Sequence, residues 1–412
     1  GEPGLLAAPG RAAAAMIPRF RPDIGRRELW ALVQPGSDAV ERFEREFARA
    51  FGARDAVAFP YGRSALWAFL QAVGVRDAEV VIPAYTCSVV AHAVSLSGNR
   101  PRFVDIRLSD YNMDLDLLPG AINAGTRAVV ATHLFGYPLD LDRVEAIVAQ
   151  AQARHGHKIW LIQDCAHSFG AAWGGRVVGS SGDVALYALN ISKSMTAIFG
   201  GMLTFQDAEL ALRLRAWRDA HFRRASALKP WLRRLYLLAV AAAFTEPVYG
   251  LTWWLQEKTP LLDRLTRSYH LDEQIHFPPD HLDRMLDVEA AVGLAQLAQH
   301  PHAMARRREN AAFYDQHLPR QPGWVLPPLV DGATYSHYVV RVPDRAASVR
   351  AAAHRGVHLG ELIQYSVPEL SGYAGSGAPC EQSRLASRCT INLPVHPSLT
   401  PRQLQKVVDA LR

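Results

Sequence analysis

Three short stretches carry side chains whose types and spacing could do chemistry. In the first, the apolar run Ile159-Trp160-Leu161-Ile162-Gln163 ends in Asp164-Cys165-Ala166-His167. An acid at the carboxyl end of a strand faces the crevice that opens there, where it can keep a heteroaromatic nitrogen protonated so that the ring takes up carbanion electrons. Taken alone, Asp164 reads equally well as a helix N-cap and His167 as a hydrogen-bonded turn residue. In the second, Gly182-Asp183-Val184-Ala185-Leu186-Tyr187-Ala188-Leu189 leads into Asn190-Ile191-Ser192-Lys193 and then Gly200-Gly201-Met202. A lysine on a mostly apolar loop loses proton affinity through desolvation, and its neutral amine can then attack a carbonyl to form a Schiff base. The alternative is a solvent-facing loop lysine. In the third, Tyr61-Gly62-Arg63-Ser64-Ala65-Leu66 places a glycine turn before a helix. Free N–H groups and the helix dipole at such a turn hold phosphate, although many turns look alike.

Each stretch is ambiguous by itself, but together, with Lys193 following Asp164 in the required order, they favour the chemical reading. Acid, amine and phosphate cradle are the three needs of pyridoxal 5'-phosphate (PLP), with Lys193 as its Schiff-base lysine.

The elements that must position these residues alternate. Strand-like runs at Ala56–Phe59, Glu79–Pro83, Arg102–Ile106, Ala128–Thr132 and Lys158–Gln163 are each followed by a turn and a helical stretch. This predicts an α/β fold with a mostly parallel sheet covered on both faces and ligands at the strands' carboxyl ends. Upstream, Phe43, Phe47 and Phe51 recur every fourth residue within a helical pattern from Arg27 to Gly52. Downstream, an Ala-rich helix from Asp287 runs to about His317. It is followed by a strand at Tyr335–Val342, a helix at Ala346–Arg355, a strand at Thr390–Leu393 and a closing helix at Pro401–Leu411 capped by Thr400. These predict a second, smaller α+β domain. Residues 1–15, small and apolar, read as a leader or disordered stretch; 16–298 form the large domain and 299–412 the small one.

Composition narrows the classes. The 412 residues are 49% hydrophobic and 20% charged, enough for a large core. The net charge of +6 is scattered rather than gathered on one face, which argues against nucleic acid and suits anionic small substrates. Cys87, Cys165, Cys380 and Cys389 form no C-x-x-C pair, so neither a disulfide framework nor a metal site is expected, and a reduced, cytoplasmic protein is. The segment from Arg215 to Asp283 stands apart. Within it Leu235–Leu255 is nearly uncharged and includes Trp253-Trp254, but Glu246 and Pro247 interrupt it, so it does not read as a membrane span. It reads as a pair of buried helices at a cofactor site or subunit interface, or as an amphipathic element on a membrane surface.

In this order the three stretches resemble the DegT/DnrJ/EryC1/StrS family of sugar aminotransferases. The resemblance runs from about Met16 to Arg412 and includes Pro83-Ala84-Tyr85-Thr86, His133-Leu134-Phe135-Gly136, Asp164-Cys165-Ala166-His167, Ala290-Ala291-Val292-Gly293-Leu294 and Asn392-Leu393-Pro394-Val395-His396-Pro397. It implies PLP-dependent fold type I, with a large domain built on a seven-stranded-type sheet, and a homodimer. It also implies transfer of an amino group from an amino acid, glutamate by expectation, to a keto-sugar that is nucleotide-linked. Lys193 would hold the cofactor, Asp164 would meet the pyridine nitrogen, His167 would lie on the ring-hydroxyl side, and the Gly62-Arg63-Ser64 turn would hold the phosphate. Arg284 matches a family arginine that approaches the partner's site. Three positions depart from the pattern. Cys87 stands where an aromatic stacks on the ring, Ala188 stands where a serine binds phosphate (with Asn190 or Ser192 as substitutes), and Leu282 stands for an asparagine. These departures and the apolar segment leave two alternatives: an aminotransferase for a lipid-linked or membrane-associated substrate, docked through 235–255, or a fold-type-I binding protein without turnover.

Overall fold

The apolar runs fold into strands of one sheet. A computed structural model describes residues 16–245, 248–253, 275–375 and 380–412. In chain order the strands are β1 (Asp55–Phe59), β2 (Glu79–Pro83), β3 (Arg100–Val104), β4 (Thr126–Thr132), β5 (Trp160–Asp164), β6 (Ala172–Trp173), β7 (Arg176–Val177), β8 (Val184–Ala188), β9 (Gly201–Phe205), β10 (Tyr338–Arg341) and β11 (Thr390–Leu393). Seven of them form the central sheet in the order β1-β9-β8-β5-β4-β2-β3. β9 pairs antiparallel with both β1 and β8, and the remaining pairs are parallel. Six carboxyl ends therefore open on one edge, which fits strands buried on both faces and rich in Val, Ile and Ala.

Helices cover the two faces. Gly62–Ala72 and Ser88–Leu96 bury their apolar sides with Phe59, Val80, Ile82 and Val130 on one face. On the other, Phe43, Phe47 and Phe51 pack with Phe169, Tyr187 and the helix Asp287–His317. Gly293 of that helix leaves room for Phe43, since a Cβ there would lie 2.4 Å from its ring.

The helical pattern from Arg27 to Gly52 is two helices, Arg26–Val33 and Ala39–Ala50, because Gln34-Pro35-Gly36 breaks it and Gly36 takes a left-handed φ of 78°. The expected domain boundary at 298 falls inside the 31-residue helix Asp287–His317, near Pro301. The hydrophobic cluster under β10 and β11 also draws in Tyr85, Tyr111, Phe135 and Tyr137 from the first half of the chain.

The apolar segment opens on a helix with two unlike faces. The helix Lys229–Ala243 buries Lys229, Arg233 and Leu237, while Trp231 (63%), Leu232, Leu235 and Leu238 face outward. Its inward charges are paired: Arg233 bonds Glu289 at 2.8 Å and Asp280 at 3.1 Å, and Lys229 bonds Asp283 at 2.8 Å. Among the described residues no helix is long and apolar enough to cross a membrane. Within the apolar stretch, Glu246, Pro247, Trp254 and Leu255 lie outside the described residues.

Candidate active site

The parallel strands bring their last residues into one row. Thr132 at the end of β4 is in register with Asp164 at the end of β5, and Asp164 with Leu186 near the end of β8. All three line a cleft of about 240 Å³ at this edge, with Gly62, Arg63 and Cys87 on one side and Ala188, Asn190, Ser192 and Lys193 on another.

Asp164 begins a turn rather than a helix. Its Oδ1 accepts the Ala166 amide at 3.1 Å and its Oδ2 accepts the Thr132 hydroxyl at 3.4 Å. Burial pushes its carboxyl above the ordinary range, opposed by the Ala166 amide, the Lys193 charge and Thr132. Lys193 sits half-buried on the β8–β9 loop. That loop is closed by bonds from Leu189 N to Gly200 O (2.9 Å) and Ala197 N to Leu189 O (2.9 Å), and Lys193 N donates to Asn190 O at 3.1 Å. Burial of the amine lowers its proton affinity, partly offset by the facing Cys87 and Asp164. The amine is thus more nucleophilic at neutral pH than a surface lysine.

His167 accepts the Phe135 amide on Nδ1 at 3.4 Å. Burial, then the charges of Lys193 and His337, hold it well below the ordinary histidine range, so the ring is neutral with its proton on Nε2. Its ring lies 6.1 Å from Phe135 at 21° and 5.0 Å from His337. Phe135 has a left-handed φ of 58°, a strained backbone that brings its ring and amide to His167.

The helix Gly62–Ala72 starts at the cleft. Ala65 N is bonded to Tyr61 O at 3.0 Å, and the amides before it lie ahead of the first helical hydrogen bond. The chain can turn this close to β8 and β9 because two glycines meet there. A Cβ on Gly62 would come within 3.0 Å of Ala188, and one on Gly201 within 2.4 Å of Tyr61 O. Ala188 therefore packs against the cradle where a serine would have offered a hydroxyl.

The structure gathers most of the expected residues. Lys193, Asp164, His167, Gly62, Arg63, Cys87, Asn190 and Ser192 all line the cleft. Ser64 and Arg284 do not. The Ser64 side chain turns inward to donate to His281 O at 2.8 Å. Arg284 donates to the carbonyls of Asp219 (2.8 Å) and Phe222 (3.3 Å), with Asp219 Oδ1 at 3.6 Å. Of the substitutes for the phosphate serine, Asn190 Oδ1 is already bound to the Ser192 amide and hydroxyl. From late in the chain, Ile363 and Tyr365 also reach the cleft, whereas Tyr338 is buried with its hydroxyl on Asp315. Sequence reasoning missed Thr132, although its place ending the apolar run next to Asp164's strand was the available signal.

A six-parallel, one-antiparallel sheet with an acid and a desolvated lysine meeting at its carboxyl edge is the large domain of a fold-type-I aminotransferase. The chain belongs to the DegT/DnrJ/EryC1/StrS aminotransferase family, whose model matches residues 31–238 and 266–412. The unmatched stretch falls within the segment set apart above. The chain is 29% identical over 391 residues to the dTDP-3-amino-3,4,6-trideoxy-alpha-D-glucose transaminase of Micromonospora megalomicea, covering 91% of this chain and 89% of that one. It is 26% identical over 416 residues to the spore coat polysaccharide biosynthesis protein SpsC of Bacillus subtilis, covering 96% of each. The crystal structure of AtS13 from Actinomadura melliaura superposes with a TM-score of 0.76 at 28% identity, over 97% of this chain and 98% of that one.

Proposed function

We propose that this enzyme transfers the amino group of an amino acid, glutamate by expectation, to the keto group of a nucleotide-linked sugar, using PLP held in the Asp164–Lys193 cleft. The observation that carries the reading is the pairing of a desolvated amine with a buried carboxyl in one cleft. The residues fit the cofactor. Lys193 supplies the amine for its aldehyde, Asp164 an acid for its ring nitrogen, His167 a neutral donor beside the ring, and the Gly62–Arg63 turn amides for its phosphate. PLP, when bound, supplies an electron sink for the carbon that loses or gains the amino group.

The protein's own residues do the rest. Asp164 would hold a proton at the ring nitrogen, because burial makes its charged form seek a cation. Lys193, whose lowered proton affinity leaves its amine neutral, would take a proton from the donor's α-carbon and return one to the sugar carbon. The aliphatic walls of Leu66, Val90, Leu134 and Leu186 exclude water from that exchange. Arg284, tied to the rim of its own subunit, is placed by this reading toward a second copy in a homodimer. The transaminase relative from Micromonospora megalomicea, named for a dTDP-linked amino sugar, supports this substrate class.

The test is a half-reaction. Enzyme carrying PLP and mixed with L-glutamate should lose its visible absorbance, and a nucleotide-linked keto-sugar should restore it. A spectrum that no amino acid changes would remove the transaminase reading.

A further inference from the structure

The wall of the cleft holds few rings. Among the described residues that line it, only His167 and Tyr365 carry an aromatic side chain, and Cys87 presents a small thiol where a ring was expected. Tyr365 comes from far along the chain, on the segment Ile363–Val367. That segment is strapped along Ala84–Ser88 by three hydrogen bonds: Tyr85 Oη to Ile363 O (3.2 Å), Ser88 N to Tyr365 Oη (3.0 Å) and Val367 N to Ala84 O (2.9 Å). The middle bond has a local cause. Cys87 is the N-cap of the helix Ser88–Leu96 and has no side-chain oxygen to cap it, so the first amide of that helix turns to the Tyr365 phenol. The phenol fixes the ring against the cleft while the side chain stays half-buried.

We propose that Tyr365 is a cofactor-positioning residue: it supplies, from the second half of the chain, the aromatic wall for the cofactor ring that residue 87 does not. This rests on the PLP reading above. A planar heteroaromatic ring binds about three- to tenfold more tightly beside an offset or edge-on aromatic partner than beside an aliphatic one. That range sets the size of the expected effect.

The experiment is PLP titration of the apoprotein by equilibrium dialysis, with circular dichroism to verify folding. Tyr365→Leu, which keeps bulk but removes the ring, should weaken PLP binding about three- to tenfold. Tyr365→Phe, which keeps the ring but loses the bond to Ser88, should stay within about threefold of wild type. Cys87→Phe combined with Tyr365→Leu should recover binding, because it returns a ring to the same wall. If Tyr365→Leu binds PLP as tightly as wild type, or Tyr365→Phe binds as weakly as Tyr365→Leu, the assignment is overturned. A wild-type protein that takes up no PLP would remove the cofactor reading and this assignment together. Should Tyr365→Leu fail to fold, the Phe variant and Cys87→Phe alone, expected to tighten or preserve binding, still decide it.

Discussion

Asp164 and Lys193 stand at the exits of neighbouring strands and act on each other's charge. The lysine cation lowers the proton affinity of the carboxyl, the carboxylate raises that of the amine, and burial opposes ionisation of both. Each charge is partly stabilised by the other, yet among the described residues no hydrogen bond joins them, so a flat ligand between them would exchange one weak mutual interaction for two direct ones.

Asp164→Asn separates cofactor binding from folding. The amide keeps an oxygen for the Ala166 amide (3.1 Å) and removes a charge that burial disfavours. The apoprotein should melt at the wild-type temperature or above, while PLP stabilises the variant less than wild type and turnover falls by about 10²-fold or more. Differential scanning calorimetry with and without PLP checks the first part. A lower melting temperature without cofactor would contradict it.

Gly201→Ala tests the close approach that shapes the phosphate turn. Its Cβ would meet Tyr61 O at 2.4 Å and Gly62 N at 2.6 Å, both backbone atoms that cannot swing aside. We expect a loss of about 1–3 kcal/mol in urea unfolding and weaker binding of PLP and of inorganic phosphate. A variant with unchanged phosphate affinity would show that the turn does not hold the phosphate.

Arg233→Ala should be among the most destabilising single changes outside the cleft. Arg233 bonds Glu289 at 2.8 Å, and Glu289 is 2% exposed. Stripping one partner from a buried pair costs about 3–5 kcal/mol, because the other charge is left buried. The double variant Arg233→Met/Glu289→Leu should recover most of that loss in chemical denaturation, and failure to recover would show that the loss is packing rather than charge.

Stability should fall as the solution is acidified through the histidine range. Burial holds His133 and His300 down to about 4 and His337, His358 and His396 down to about 3. Between those values and about 6.5 the unfolded chain binds protons that the folded chain refuses, so unfolding is favoured by up to about 1.4 kcal/mol per pH unit for each such histidine. Buried carboxyls raised in the folded state, Asp164 and Glu289 among them, act in the opposite sense at the lower end. Urea midpoints measured from pH 7.5 to 5 should drop steadily, and a flat profile would contradict the buried-neutral assignment.

Much of this was legible in the residues. Glu79–Pro83 and Thr390–Leu393 are strands with the bounds their apolar runs suggest, and Thr400 caps the last helix through Gln403 N at 3.3 Å. Eight of the ten expected site residues meet in the cleft because each lies at or just past a strand end, where local order predicts position. The Ser64 side chain turns away to His281, while its amide, the group expected to meet phosphate, lies ahead of the first helical hydrogen bond. Arg284 carries no local sign of which subunit it serves. Tyr365 reaches its place only through pairing with Ala84–Ser88, a contact between distant segments that no spacing reveals. Apolar content alone does not tell which face of Lys229–Ala243 turns inward; here the ion pairs of Lys229 and Arg233 decide it and leave Trp231 and Leu235 outward.

The most direct measurement is borohydride reduction of the enzyme with PLP, followed by mass spectrometry of the peptides. The account predicts that the cofactor is fixed on Lys193 and that Lys193→Ala takes up none. Label on Lys158, Lys229, Lys258 or Lys406 instead, or no covalent label at all, would contradict it.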